Sequence, residues 1–147
     1  ISNDAGGLHY IKDFGCPSNA IITPHPGEAA MLLNCSVEKL QKNRLEAAKE
    51  LYKRYSCLIV LKGYQTIVFD GDAYRCTDGG PALSTAGTGD VLAGLIGSFL
   101  AQGIGKRNAA KFAVAVHGAA GDKFSKNNRI RGLTATKLIK IINEEML

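Results

Sequence analysis

Asp90 closes the segment Ser84-Thr85-Ala86-Gly87-Thr88-Gly89-Asp90, and an apolar helical pattern starts directly after it at Val91, Leu92, Leu95, Ile96, Phe99 and Leu100. A glycine-bearing loop that runs into a helix start offers the backbone N–H groups of Gly87, Thr88 and Gly89 to an anion. The aligned peptide dipoles add about half a positive charge at that end. Glycine, lacking a Cβ, lets phosphate oxygens approach the backbone closely. A carboxylate at such a mouth repels phosphate. It acquires a chemical purpose if Asp90 takes the proton from a hydroxyl that attacks a phosphoryl group. The plainer reading is that an acid at a helix start only complements the dipole; both readings stand on the heptapeptide alone.

Two further segments carry residues suited to chemistry. In Thr23-Pro24-His25-Pro26-Gly27-Glu28, prolines on either side of His25 fix the backbone and the direction of the imidazole. The segment follows the apolar run Ala20-Ile21-Ile22, which places it at the carboxyl end of a strand, where α/β sheets bind ligands. The alternative is a rigid turn with Glu28 in the first turn of the following helix. Lys62-Gly63-Tyr64-Gln65-Thr66 likewise follows an apolar run. Lys62 can meet phosphate as a point charge and Gly63 permits close approach, although an ordinary β-turn explains the same residues. His117, among alanines, reads as a hydrogen-bonded interior residue rather than a catalyst, and His9 has no partner in the sequence.

Periodicity supplies the elements that must hold these residues. Residues 1–19, broken by Gly6, Gly7, Gly15 and Pro17, carry no clear pattern. Residues 20–22 read as a short buried strand, 28–33 as one or two helical turns, and Ser36 as the cap of another short turn. The spacing predicts an amphipathic helix over 41–55, with Leu45, Ala48, Leu51, Tyr52 and Tyr55 inward and Arg44, Lys49 and Lys53 in solvent. The continuous apolar run 57–61 suits a strand covered on both faces. Strands over 66–69 and 73–76 are joined by the hairpin signal Asp70-Gly71-Asp72. A long loop, 77–89, leads to three helices over 89–102, 106–124 and 134–145, the last capped by Thr134. About four strands with interleaved helices make an α/β layer protein.

The chain has 147 residues, 46% of them apolar, enough for the core of one domain. The formal net charge of +5 favours anionic partners. The basic residues are dispersed, however, and the densest cluster, Lys126-Asn127-Asn128-Arg129-Ile130-Arg131, lacks interleaved aromatics, so no nucleic-acid partner is expected. Cys16, Cys35, Cys57 and Cys76 show neither C-x-x-C nor zinc spacing and read as reduced thiols of a cytoplasmic protein. No apolar run approaches membrane-spanning length and no signal peptide is visible, so no membrane partner is expected.

Taken together, Thr23-Pro24-His25-Pro26-Gly27-Glu28, then Val60-Leu61-Lys62-Gly63-Tyr64-Gln65-Thr66, then Gly80-Pro81-Ala82-Leu83-Ser84-Thr85-Ala86-Gly87-Thr88-Gly89-Asp90-Val91-Leu92-Ala93-Gly94 resemble, in order and spacing, the ADP/ATP-dependent NAD(P)H-hydrate dehydratases of the ribokinase-like superfamily. Ala101-Gln102-Gly103 and His117-Gly118-Ala119-Ala120-Gly121-Asp122 extend the resemblance over nearly the whole chain. Gly-Thr-Gly-Asp alone marks only the superfamily; the two other motifs make the resemblance specific to the dehydratases.

The resemblance implies a ribokinase-like three-layer α/β fold with a mostly parallel sheet and a glycine loop leading into a helix. Residues 1–147 would form a single domain corresponding to the C-terminal half of the family domain, with an N-terminal half supplying further strands and part of the substrate pocket. It implies repair of hydrated NADH or NADPH at the expense of ADP or ATP with Mg²⁺, by phosphoryl transfer to the C6 hydroxyl and elimination of phosphate. Asp90 would be the base. Lys62, Gly63, Tyr64, Gln65, Thr66, Gly87, Thr88 and Gly89 would hold the nucleotide, and His25 and Asp90 the hydrated cofactor; no residue is assigned to a metal. A homo-oligomer is also implied. The chain departs from the family pattern at Ala86, where glycine is usual, at Gly80-Pro81-Ala82 in place of Asn-Pro-Gly, and at Gly6, which replaces the second acid of a D-A-D segment aligned with Asp4-Ala5-Gly6-Gly7-Leu8. Two other readings are a ribokinase-like kinase for a small hydroxylated metabolite and a catalytically impaired nucleotide-binding remnant.

Overall fold

A computed structural model of the chain describes residues 2–3, 5–127 and 132–145. The chain divides into two compact units, Ile1–Arg75 and Cys76–Leu147.

The first unit runs β1 (Ser2–Asn3), α1 (Ala5–Phe14), β2 (Ile21–Ile22), α2 (Pro26–Leu33), α3 (Val37–Lys42), α4 (Arg44–Tyr55), β3 (Leu58–Leu61), β4 (Ile67–Phe69) and β5 (Ala73–Arg75). The five strands lie in chain order in one sheet. β1, β2 and β3 are mutually parallel, while β4 pairs antiparallel with β3 and β5 antiparallel with β4. The sheet is therefore mixed, and its parallel part is the β1–β3 half that carries the ligand-type loops. Ile22, Ile59, Leu61, Ile67 and Phe69 share a core with Leu32 of α2 and Ala48 and Leu51 of α4. All four residues of β3 are buried, as its unbroken apolar run requires.

Two local outcomes differ from the periodicity. Residues 1–19, patternless as sequence, contain a strand and a ten-residue helix. Leu8 and Ile11, one turn apart in α1, are fully buried in the core; this packing outweighs the poor propensity of Gly6-Gly7. Asp4 lies outside the described residues. The helix expected over 41–55 is interrupted near its start, and only 44–55 form α4: Asn43 ends α3 through its N–H to Leu40 O and caps α4 by accepting from Glu46 N at 3.4 Å. A short amide side chain that competes for backbone donors favours such a junction. Ser36 caps α3 as expected, accepting from Lys39 N at 3.1 Å.

The second unit contains a 3-10 turn (Pro81–Ser84), α5 (Thr88–Ala101), α6 (Lys106–Asn127) and α7 (Ala135–Glu145). α5 packs on α6 and α7, and α6 also packs on α7 and on the 3-10 turn. Ala82, Ala120, Phe124, Leu133, Leu138 and Ile142 form the core between them. Thr134 caps α7, its hydroxyl accepting from Lys137 N at 3.3 Å. The segment before α5 lies against the glycines of α6: a Cβ on Gly118 would stand 2.8 Å from Asp78 O, and one on Gly121 2.6 Å from Leu83 Cγ. Gly118→Ala meets backbone that cannot rotate away, so we expect a loss of about 1–3 kcal/mol, the usual cost of overpacking. Gly121→Ala meets only a leucine side chain and should cost less. Urea unfolding midpoints of the two variants test that order.

Among the described residues no helix is long and apolar enough to cross a membrane. None of the four cysteines is in a disulfide. Burial pushes the Cys76 thiol above its ordinary range, and the thiol donates to Asp78 O at 3.6 Å. A buried, protonated thiol is chemically inert. Asn128, Arg129, Ile130 and Arg131 of the basic cluster lie outside the described residues.

Candidate functional site

In the first unit the parallel register of β2 and β3, with Ile21 opposite Leu58 and Ile22 opposite Ile59, brings the two loops that follow them to the same sheet end. Lys62 N donates to Pro24 O at 2.9 Å, which ties the histidine loop to the lysine loop directly. His25 is the N-cap of α2: its Nδ1 accepts from Gly27 N at 3.0 Å and Glu28 N at 3.3 Å. Glu28 completes a capping box by accepting from His25 N at 2.7 Å. With Nδ1 as the acceptor, Nε2 lies 3.5 Å from Glu28 Oε1, and the side chain is about half exposed, at 55%. Gly27 makes this fold-back possible, since a Cβ there would stand 2.9 Å from His25 Cε1. Of the two readings of the motif, the rigid turn with Glu28 in the first turn of the helix is the one built into these contacts, and it leaves the imidazole half-exposed.

The second loop is a strained turn. Gly63 has φ +126° and Gln65 φ +52°, a left-handed region that costs little only for glycine. Thr66 Oγ1 donates to Gly63 O at 3.1 Å and closes the turn. Tyr64 stands 77% exposed at its tip. Gln65 Oε1 accepts from Arg75 Nη1 at 3.2 Å. The residue that sequence reasoning missed is Arg44, assigned there to solvent. It is half-buried, and its Nη2 donates to Leu61 O at 3.2 Å and Lys62 O at 3.1 Å. Burial first, and the charge of Arg75 second, lower the pKa of its guanidinium. Among the described residues none of Lys62, Arg44 and Arg75 has a carboxylate within ion-pair distance. The turn is therefore ringed by positive charge, which a helical-wheel view of 41–55 does not reveal.

In the second unit Gly87 adopts φ +85° and is the N-cap of α5, with Thr88, Gly89 and Asp90 as its first three residues. Thr88 faces inward: it is buried, its hydroxyl lies 2.6 Å from Leu83 O and 2.8 Å from Thr85 O, and its N–H reaches Thr85 O at 3.3 Å. Thr88 is thus the pin of the loop, while Gly87 and Gly89 give it its open backbone. Asp90 is exposed at the third helical position. Ala86 is exposed and has no left-handed backbone, so its methyl is accommodated where the family carries glycine. His117 is buried with Nε2 2.8 Å from Thr88 O; a carbonyl only accepts, so Nε2 carries the proton. Asp122 Oδ2 accepts from Gly79 N at 3.0 Å. His117, Gly118, Gly121 and Asp122 therefore form one face of α6 that holds segment 78–88. His117 is the interior residue its sequence context suggested. Thr88→Val, which removes the buried donor and leaves its carbonyl partners short, should cost about 1–3 kcal/mol. A thermal unfolding midpoint equal to wild type would contradict that assignment.

The chemistry on offer is a carboxylate at a glycine-rich helix start, a capped imidazole, and a cationic turn. Comparisons with known proteins give the family and the fold. The profile of the NAD(P)H-hydrate dehydratase family matches residues 3–144. The bifunctional NAD(P)H-hydrate repair enzyme Nnr of Vibrio cholerae serotype O1 is 41% identical over 143 residues, covering 96% of this chain and 29% of that protein. The ADP/ATP-dependent NAD(P)H-hydrate dehydratase of Bacillus subtilis, crystallised with ATP and Mg²⁺, superposes with a TM-score of 0.81 at 37% identity, over 85% of this chain and 46% of that one. A ribokinase-like superfamily protein from Enterococcus faecalis V583 superposes with a TM-score of 0.83 at 27% identity, over 99% of this chain and 51% of that one. The fold is accordingly ribokinase-like, and the chain spans about half the length of these solved relatives and less of the bifunctional one. With a matching profile along nearly its whole length and the three motifs in place, the chain belongs to the NAD(P)H-hydrate dehydratase family.

Proposed function

We infer that the chain is the C-terminal part of an enzyme that dehydrates (6S)-hydrated NADH or NADPH using ADP or ATP, in the cytoplasm. The observation that carries this reading is the junction of the histidine and lysine loops at one sheet end through Lys62 N and Pro24 O, the place where α/β sheets hold ligands. A hydroxyl is a poor leaving group, and phosphorylation makes it a good one. The terminal phosphoryl group passes to the C6 oxygen, the hydroxyl proton goes to Asp90, and the shortened nucleotide leaves. The C6–O bond then breaks with loss of phosphate, a proton leaves C5, and the ring double bond is restored.

In this reading Asp90 orients and deprotonates the hydroxyl, work in which positioning counts more than an unusual pKa. The backbone of Gly87, Thr88 and Gly89 at the start of α5 steadies the charge of the transferring group, with Thr88 acting through the shape of the loop. Lys62, Gly63, Tyr64, Gln65 and Thr66 hold the nucleotide, and His25 contacts the hydrated cofactor through its half-exposed imidazole. Mg²⁺ travels with the nucleotide, held by phosphate oxygens and water. A homo-oligomer and an N-terminal half belong to the same proposal.

The test is a turnover assay with (6S)-hydrated NADH and Mg²⁺ plus ADP or ATP, read as recovery of reduced-nicotinamide absorbance. Nucleotide-dependent recovery supports the reading. Nucleotide consumption only with some other alcohol, and no recovered NADH, would assign the chain to a different kinase.

A further inference from the structure

We propose that Arg44 is a positioning residue for the nucleotide, acting through the peptide planes of the Lys62-Gly63 turn. The inference rests on the dehydratase reading and adds to it a residue from outside all three motifs.

Its guanidinium holds two successive carbonyls, Leu61 O and Lys62 O, by a single nitrogen, Nη2, while Nη1 donates to Gln41 Oε1 at 2.9 Å. In a trans peptide the carbonyl and the following N–H point in opposite directions. Fixing Leu61 O toward Arg44 therefore sends Lys62 N–H the other way, and it is found on Pro24 O. Fixing Lys62 O toward Arg44 sends Gly63 N–H away from α4 in the same manner, as an outward-facing donor at an exposed turn. Arg44 thus sets both the bridge to the histidine loop and the aim of the Gly63 amide.

Gly63 and Arg44 are also matched in space. A Cβ at Gly63 would lie 3.0 Å from Arg44 Nη1, and φ +126° already disfavours a side chain there. The arginine is costly to keep. Its Nε is buried and has no hydrogen-bond partner, a loss that structural arginines ordinarily avoid. Its charge, with those of Lys62 and Arg75, remains uncompensated by any carboxylate among the described residues, and such a field attracts an anion.

The experiment measures dissociation constants for ATP·Mg²⁺ and for hydrated NADH by calorimetry, with unfolding midpoints, in wild type, Arg44→Gln, Arg44→Lys and Gln41→Ala. We expect Arg44→Gln to weaken ATP binding about tenfold, the scale of charged hydrogen bonds lost, with the affinity for hydrated NADH unchanged. Arg44→Lys keeps the charge but not the fork and should fall between. Gln41→Ala, at an exposed position whose loss leaves the core intact, should weaken ATP binding by about two- to threefold. If Arg44→Gln does not fold, the last two variants decide on the same terms. ATP affinity within twofold of wild type in the folded variants, with only the midpoints lowered, overturns the positioning role and makes Arg44 a structural tie. Failure of the wild-type protein to bind ATP at all overturns the dehydratase reading as well, so the two failures are distinguishable.

Discussion

Asp90→Asn should fold as wild type does and turn over about 10²-fold more slowly or worse, the scale of a lost general base. Asparagine has the shape of aspartate and keeps a hydrogen-bonding oxygen, but it cannot accept the hydroxyl proton. Asp90 is exposed at the third position of α5, so packing does not depend on it. Part of what the fold loses is the match between a negative charge and the helix start, about 0.3–1 kcal/mol. The two effects therefore separate cleanly: a small shift in unfolding midpoint and a large fall in kcat. Binding of ATP should hold or strengthen, because a charge that repels phosphate has gone. Equal kcat for mutant and wild type in the NADH-recovery assay would remove Asp90 from the reaction and leave it as a dipole-matching residue.

At His25 the second large effect is expected, and there structure and binding must be parted by a pair of variants. His25→Ala removes the acceptor for Gly27 N and Glu28 N, a lost N-cap worth about 0.5–2 kcal/mol. His25→Asn restores a good N-cap residue without an imidazole. We expect the alanine variant to be less stable, the asparagine variant to regain most of that stability, and both to bind hydrated NADH about tenfold more weakly, the scale of one or two hydrogen bonds. ATP affinity should be little changed in the asparagine variant. Recovery of cofactor affinity along with stability would mean that His25 serves only to start α2. Calorimetry with each ligand, beside thermal unfolding, distinguishes the outcomes.

Local signals in the sequence were sufficient where one residue decides one short-range outcome. Ser36 and Thr134 cap α3 and α7 as their types require. The run ending at Leu61 became a strand buried throughout, and Asp70-Gly71-Asp72 joins β4 to β5, with Gly71 at φ +104°. The three motifs named the family because their spacing is specific, and each proved to sit at a strand end or a helix start. Residues 5–14 were illegible for the opposite reason. Glycine and polar residues dilute the pattern there, and the helix forms because Leu8 and Ile11 find a core contributed by distant segments.

The sequence alone thus determined the family and most element boundaries, since those depend on residue type and short spacing. Only the tertiary structure decided that Arg44 reaches carbonyls 17 and 18 residues away, that Lys62 is tied to Pro24, and that one face of α6 holds the loop before α5. These are contacts between parts of the chain that no period connects. Their existence depends on parallel strand register and helix packing, which the chain acquires only when it closes its core.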